Sequence, residues 1–273
     1  MPDAHTAIAI SRVTSDGPRV DVTDDVAVEE PLEIRVEGRS VAVTMRTPGH
    51  DEELAAGFLL TEAVIASAVD LLEINQCPVT TGQAGNIVDV LLRRPGTVDF
   101  ARLTRHVFSA SSCGLCGKAS IESVQQRFPP LPPPPPPSAR LLLALPPRLQ
   151  SAQSTFQRTG GLHAAALFAP DGTLPVVRED VGRHNAVDKV LGYRLLQRPD
   201  GDRNPAPEPL GLLVSGRVSF EIVQKALAAR IGTIVAVSAP TSLAIEFARA
   251  NGQTLVGFLR PGRLNLYAGE LTA

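Results

Sequence analysis

The sequence predicts an α/β protein in which a small α+β module is followed by an α/β domain whose mixed sheet is flanked by helices. Near the amino terminus, apolar and polar residues alternate as they do in half-buried strands. After residue 162, short apolar runs alternate with helical stripes, the pattern of parallel pairing with right-handed crossovers. The length of 273 residues favours two domains or one large unit. We place the domains at 1–105 and 106–273.

In the first domain, the opening fifteen or so residues are polar and aperiodic, and we expect no regular structure there. Alternating apolar residues at 32–36 and 41–45 predict a β-hairpin around a turn at 37–40. Apolar residues at helical spacing from 54 to 59 follow an acidic first turn and predict a helix that packs on the hairpin. Residues 87–92 supply a further strand.

The second domain begins with a predicted strand at 104–110, a cysteine-containing loop at 111–117 and a helix at 118–128. Prolines 132–137 then favour an extended segment, because proline cannot donate backbone hydrogen bonds. We interpret this run as a stiff exposed spacer; a partner-binding motif is the alternative. The remaining predicted elements are strands at 164–168, 174–177, 210–214, 233–237 and 254–258, helices over 187–195, 220–231 and 243–250, and an exposed loop at 197–209.

Charge and cysteine usage narrow the class of protein. Lys and Arg number 26 against 28 Asp and Glu, so the net charge of -2 offers no global attraction to nucleic acid or to an anionic membrane. No apolar run approaches the roughly 20 residues of a membrane helix. Three cysteines, Cys77, Cys113 and Cys116, argue against a disulfide framework and for a reducing compartment. We expect a cytoplasmic protein that engages neither nucleic acid nor membrane.

The segment from Cys113 to Gly117 has the most distinctive chemistry. A glycine follows each cysteine, and a thiol near a helix N-terminus beside Lys118 favours the thiolate, which could attack a sulfur donor and hold a persulfide. A CxxC pair alone is also typical of half a zinc site or of a redox dithiol. Zinc needs four ligands, and no second CxxC or HxxxH pair exists here, so we expect no resident metal.

Four polar clusters could hold a charged ligand or could be ordinary turns. They are 159–163 with His163, 179–185 at the start of a helix, 215–219 with Arg217, and 258–263. Helix N-termini and the carboxyl ends of strands favour anions, and paired arginines can grip phosphate oxygens. The last cluster is therefore a candidate phosphate clamp, made of Phe258, Leu259, Arg260, Pro261, Gly262 and Arg263.

Taken together, these segments resemble the FdhD family of formate dehydrogenase accessory sulfurtransferases. The matching strings, in order, are TPGHDEELAAGFLLTEAVI, SSCGLCGKASIE, TGGLHAAALF, REDVGRHNAVDKVLG, SGRVSFEIVQKA, SAPTSLAIEFA and GFLRPGRLNLY, which span most of the chain from Thr47 to Tyr267. The proline run and the loop near Asp200 fall between these strings and have no counterpart in the family pattern.

The resemblance implies a function and a set of partners. Cys113 would take persulfide sulfur from a cysteine desulfurase, with Cys116 assisting, and would pass it to the molybdenum cofactor of formate dehydrogenase. That cofactor is Mo-bis(molybdopterin guanine dinucleotide), which the turn 258–263 would contact. The resemblance also implies a cytidine-deaminase-like fold for the second domain and a homodimer.

Three other functions compete with sulfur transfer. Zinc-dependent deamination needs a His or Cys ligand two residues before a glutamate, with Pro-Cys-x-x-Cys downstream, whereas His163 precedes two alanines and the CxxC lies upstream. Two alternatives stay open: a non-catalytic chaperone for the molybdenum cofactor, and a dithiol redox protein that works through a Cys113–Cys116 disulfide.

Overall fold

A computed structural model of the chain describes residues 3–76, 85–98, 100, 128–197 and 211–273. Several predicted features lie outside these residues: Cys77, the strand at 104–110, the loop with Cys113 and Cys116, all but the last residue of the helix at 118–128, and nearly all of the loop at 197–209. They stay predictions.

The described strands form three sheets. They are β1 (His5–Arg12), β2 (Val20–Ala27), β3 (Glu30–Val36), β4 (Arg39–Arg46), β5 (Leu71–Gln76), β6 (Ile87–Leu92), β7 (His163–Phe168), β8 (Val176–Asp180), β9 (Gly211–Val214), β10 (Thr233–Ala236), β11 (Thr254–Arg260) and β12 (Arg263–Ala268). The sheet orders are β1-β2, β4-β3-β6-β5 and β12-β11-β10-β9-β7-β8.

Seven α-helices within the described residues connect and cover these strands. They are α1 (Asp51–Thr61), α2 (Ala139–Leu143), α3 (Leu145–Ala152), α4 (Ser154–Thr159), α5 (Arg183–Leu196), α6 (Phe220–Ala228) and α7 (Ser242–Ala250). None of the described helices is long and apolar enough to cross a bilayer.

The amino-terminal elements confirm the hairpin, the helix and the strand that the alternation predicts. Strands β3 and β4 pair antiparallel, and β6 adds to β3 in parallel. Leu32, Ile34 and Val36 face inward and are fully buried, as expected where side chains alternate between faces. The opening residues differ from expectation: β1 pairs with β2 over eight positions, because the complementary segment 20–27 supplies the hydrogen-bonding partner that sequence pattern alone does not identify.

The six-stranded sheet confirms the mixed α/β class. Strands β9, β10 and β11 pair in parallel, while β7 and β12 add antiparallel on either side. All residues of β9 and β10 are buried, because helices cover both faces of the sheet. The mixed sheet is compatible with the predicted cytidine-deaminase-like fold. That finer assignment stays a prediction.

Helices α1 and α5 cross in direct backbone contact between the two larger sheets. A Cβ on Gly57 would lie 1.9 Å from the Asp188 carbonyl oxygen, and one on Gly192 would lie 1.8 Å from the Glu53 carbonyl oxygen. One hydrophobic cluster accordingly includes Leu54 of α1, Val190 of α5 and side chains from both sheets. A second cluster lies between the other face of the six-stranded sheet and helices α2 and α3.

The proline run is mostly exposed, as the sequence suggests, but it packs on the protein instead of standing free as a spacer. It is extended, but it lies along the edge of the six-stranded sheet where β10 and β11 begin, and Pro137 is buried. The Leu131 amide donates to the Asn251 carbonyl at 3.0 Å. A sequence pattern does not reveal this packing, because the surface on which the prolines lie is built from residues about 100 positions later.

Candidate functional site

The candidate site lies at the edge of the six-stranded sheet where the parallel strands end. Because β7 runs antiparallel to β9, its first residue, His163, lies at the same edge as the last residues of β8 and β9. The segments that follow β9 and β10 continue there and pair with each other through Val218 and Pro240. Helices α5, α6 and α7 all begin at this edge, so their N-termini favour an anion here.

The predicted clamp forms the tip of the β11–β12 hairpin, which we call the arginine hairpin (Phe258–Arg263). Strand β11 continues through Arg260, and Pro261 and Gly262 make the turn, where Gly262 has a φ of 79°. Arg260 Nη1 donates to the carbonyls of Val237 and Leu259. Arg260 and Arg263 are exposed, whereas the Leu259 side chain is fully buried, so Leu259 offers a ligand its backbone alone.

Phe258 has a backbone conformation that bulky residues rarely adopt. Its φ is +51°, and the pairing of β11 with β12 shifts between Gly257 and Arg260, which marks a β-bulge. The Phe258 amide donates to the Ser238 carbonyl at 3.0 Å, and the ring remains 40% exposed. Strained residues cluster at binding sites, and here the strain presents an aromatic ring beside the arginines.

A second group of cations lies around His163. A Cβ on Gly216 would lie 3.4 Å from His163 Nδ1 and 3.6 Å from Arg183 Cβ, so the loop after β9 touches both residues. Burial lowers the pKa of His163 below its ordinary value, and the charges of Arg183, His184 and Arg217 lower that pKa further. Burial first, and then the neighbouring positive charges, therefore favour the neutral form of the imidazole.

His184 is oriented by an acidic partner on the neighbouring helix. Its Nε2 lies 2.9 Å from Glu221 Oε2 and 3.4 Å from Ser219 Oγ. The motif at 215–219 predicted Arg217 as a site residue but left out Glu221. An acidic residue in the first turn of a helix is ordinarily explained by the helix dipole, so the sequence gave no reason to single it out.

In the polar cluster at 179–185, some residues stabilise the fold and others belong to the candidate site. Asp180 is fully buried, pairs with Lys189 at 2.7 Å and accepts from Asn185 Nδ2 at 3.0 Å. Glu179 points elsewhere and accepts from two backbone amides at the start of α4. Arg183 and His184 lie beside the segment that follows β9, near Gly216 and Ser219.

The charges at this edge suit an anion with several phosphates. Arg183, Arg217, Arg260 and Arg263 lie around it, and the Arg183 Nε atom is buried without a hydrogen-bond partner in the described part of the chain. A buried, unpaired donor costs free energy that a phosphate oxygen would recover. Within residues 3–76, 85–98, 128–197 and 211–273, no three His, Cys, Asp or Glu side chains group as metal ligands.

Comparison with known proteins places these residues in context. The sequence model of the FdhD/NarQ family matches residues 27–272. The chain is 51% identical over 251 residues to the sulfur carrier protein FdhD of Nocardia farcinica, covering 90% of this chain and 87% of the relative. It is also 51% identical over 255 residues to the protein of that name from Mycobacterium tuberculosis, covering 89% and 90%.

A solved structure has the same fold over nearly the whole chain. It comes from Desulfotalea psychrophila, is described only as a candidate formate dehydrogenase accessory protein, and superimposes with a TM-score of 0.74 at 26% identity. The match covers 98% of both chains.

Proposed function

The chain belongs to the FdhD/NarQ family, and on this premise we propose that it is a cytoplasmic sulfur carrier that delivers sulfur to the molybdenum cofactor of a formate dehydrogenase. The observation that carries the proposal is the identity of about half of all aligned residues to proteins named sulfur carriers. The structural relative described as a formate dehydrogenase accessory protein supports the choice of recipient.

Cys113 is the proposed sulfur-bearing residue. Its thiolate attacks the outer sulfur of a persulfide on a cysteine desulfurase; a new S–S bond forms at Cys113, the donor's S–S bond breaks, and the donor leaves as a thiolate. The resulting persulfide is anionic near neutral pH and suits a soft metal. Cys116, three residues away, assists by relaying or resolving that sulfur. On this scheme the protein acts as a sulfurtransferase.

The recipient, Mo-bis(molybdopterin guanine dinucleotide), is a substrate with several phosphates. We assign its phosphates to the cationic edge of the sheet, with Arg260 and Arg263 of the arginine hairpin as bidentate donors. Phe258, 40% exposed, offers a ring face to the guanine or pterin. Leu259, Pro261 and Gly262 shape the turn that sets the spacing of the two arginines. Further proposed partners are the formate dehydrogenase catalytic subunit and a second copy of the chain.

Mass spectrometry tests the sulfur-bearing residue. After incubation with a cysteine desulfurase and cysteine, the wild-type chain should gain one sulfur on the peptide containing Cys113. Cys113→Ala should not gain it, while Cys77→Ala is the matched control and should. An unmodified wild type, or sulfur that persists in Cys113→Ala, would contradict the assignment.

Formate dehydrogenase activity separates the alternatives. If the protein were only a cofactor chaperone, a possibility that the cationic edge favours because it needs no thiol, Cys113→Ser would still support an active co-expressed formate dehydrogenase. If it were a dithiol switch, activity would track a Cys113–Cys116 disulfide. Sulfur transfer predicts inactive enzyme with Cys113→Ser and no dependence on such a bond.

Binding of GDP, which carries the guanine and phosphates of the proposed substrate, tests the arginine hairpin. Arg260→Gln and Arg263→Gln should each weaken GDP binding by about tenfold or more, since a charged hydrogen bond contributes about 1.5–3 kcal/mol. Arg140→Gln, an exposed arginine at the start of α2, should leave binding unchanged. Equal losses in all three variants would contradict a local site.

A further inference from the structure

The proline segment (Phe128–Pro137) has a burial pattern that repeats every three residues. Four positions face the protein: Phe128, Leu131, Pro134 and Pro137. The two residues after each of the first three are exposed, and all six are proline: Pro129, Pro130, Pro132, Pro133, Pro135 and Pro136. Three residues per turn is the period of the polyproline II helix, so the segment lies on the protein with one face and turns its other faces to solvent.

Hydrogen bonds fix the segment at several points along its length. The Leu131 amide donates to the Asn251 carbonyl at 3.0 Å, and Arg230 Nη1 donates to the Pro129 carbonyl at 3.2 Å. At the far end the Thr272 amide donates to the Pro137 carbonyl at 3.0 Å. The segment is therefore seated on the protein and is not a free linker.

Two glycines allow the segment to approach closely. A Cβ on Gly232 would lie 2.8 Å from Pro134 Cβ, and a Cβ on Gly252 would lie 2.4 Å from the Leu131 carbonyl oxygen. The inward-facing positions thus fit a surface with no room for side chains beneath it. Apart from the hydrogen bond to the Pro129 carbonyl, the closest contacts of the segment with the protein are made by every third residue.

The outward-facing prolines keep their recognition groups accessible. Within the described residues, no hydrogen bond uses the carbonyls of Pro130, Pro132, Pro133, Pro135 or Pro136. Exposed pyrrolidine rings next to open carbonyl acceptors are what aromatic grooves bind, because the rings stack on Tyr and Trp while indole and phenol groups donate to the carbonyls. The six outward rings form an apolar surface that the packing of the segment on the protein does not require.

We propose that the outward face of the proline segment is a preformed docking ligand for a partner protein with a groove lined by Trp and Tyr side chains. Holding the polyproline II conformation in advance removes the ordering cost that a free peptide meets on binding. The segment runs along the edge where β10 and β11 begin, at the opposite end of the strands from the arginine hairpin. A docked partner therefore leaves the candidate site open, and the inference does not depend on sulfur transfer.

Calorimetric titration of the full chain with two purified probes, a WW domain and an EVH1 domain, tests the proposal. At least one probe should bind the wild-type chain. A variant with alanine at four outward positions should bind it at least about tenfold more weakly, a loss of about 1.4 kcal/mol. The four changes are Pro132→Ala, Pro133→Ala, Pro135→Ala and Pro136→Ala. Circular dichroism should show that this variant stays folded.

The matched control removes a proline from the inward face. Pro134→Ala shortens the same run of rings but leaves every outward position intact, so its affinity for the probe should stay within about threefold of wild type. A synthetic peptide of residues 128–137 measures what the segment binds when it is free of the protein. If the full chain binds neither probe, whether or not the peptide does, or if the fourfold variant binds as well as wild type, the proposal is overturned.

Discussion

Lys189 and Asp180 form an ion pair in which Nζ and Oδ2 are 2.7 Å apart and neither side chain is more than 1% exposed. The same ammonium donates to the Thr47 carbonyl at 2.8 Å, and the Asp180 carboxylate accepts from the Thr47 amide at 3.2 Å. The pair thus holds the chain entering α1 against the end of β8. It fixes the start of α5, from which Arg183 and His184 face the candidate site.

Asp180→Asn should reduce the free energy of unfolding by about 3–5 kcal/mol, because it leaves a buried ammonium without its counterion. Urea unfolding followed by circular dichroism measures the loss. The control is Asp25→Asn, which breaks the exposed pair with Arg158 at 2.9 Å and should lose less than about 1 kcal/mol. Similar losses in both variants would show that burial does not set the contribution of the pair.

Gly57→Ala should strongly destabilise the fold, because its Cβ would meet the Asp188 carbonyl at 1.9 Å and backbone cannot move aside as a side chain can. Overpacking costs about 1–3 kcal/mol or more, and separation of α1 from α5 would also open the shared core. Gly96→Ala is the matched control, since nothing lies within 4 Å of its added Cβ. A Gly57→Ala chain with wild-type stability would contradict the observed helix crossing.

The free energy of unfolding should fall as the pH is lowered, because His163 takes up a proton. Its folded-state pKa lies below the ordinary 6.5, chiefly through burial and then through Arg183, His184 and Arg217, so the unfolded chain binds the proton more readily. The contribution of the neutral ring is therefore complete above about pH 6.5 and is lost as pH falls toward the folded-state pKa.

Unfolding free energies measured from about pH 7.5 to about pH 5 check this prediction. His163→Gln should flatten the part of the pH dependence that lies below about pH 6.5, since glutamine takes up no proton. NMR titration of the imidazole with GDP present should show a higher pKa than without it, because a bound anion offsets the surrounding cations. A His163 pKa above 6.5 in the free protein would contradict the burial of the ring and the positive charge around it.

Phe258→Gly should separate binding from stability. Glycine adopts a φ of +51° freely, so the relief of about 1 kcal/mol of strain offsets part of the lost burial, while GDP binding should weaken as the ring is lost. Phe156→Gly in α4 is the matched control because Phe156 is 39% exposed against 40% for Phe258. It should lose about 1 kcal/mol more stability and bind GDP normally. The reverse order of stabilities would refute strain at Phe258.

The local pattern of apolar and polar residues predicted strands and helices that bury one face against the hydrophobic core. The alternation at 32–36 and 41–45 and the strand-helix repeat after residue 210 led to the correct strands and helices, because burial on one face imposes a period that is visible in the sequence. Four strands, β1, β2, β5 and β12, and three helices, α2, α3 and α4, were not predicted. Strands β1 and β2 are recognised only by their pairing with each other. The arginine hairpin was placed after the last strand, whereas β11 continues through Arg260.

The candidate site was also only partly predictable from local pattern. Sequence named Arg217, His163 and the arginines of the hairpin as candidates, but it could not distinguish Asp180, which is buried support, from His184, which faces the edge. It also gave no reason to choose Glu221, whose role depends on a side chain 37 positions earlier in the chain.

By itself, the sequence determined the family and many of the strands and helices, because these depend on residue type and local spacing. The residues that would carry sulfur and bind phosphate stay proposals. Only the tertiary structure decided that β7 begins where β9 ends, that Phe258 is strained, and that the proline segment is seated on Gly232 and Gly252. Each of these depends on contacts between residues far apart in the chain, whose geometry is set by packing and strand register and has no local signature.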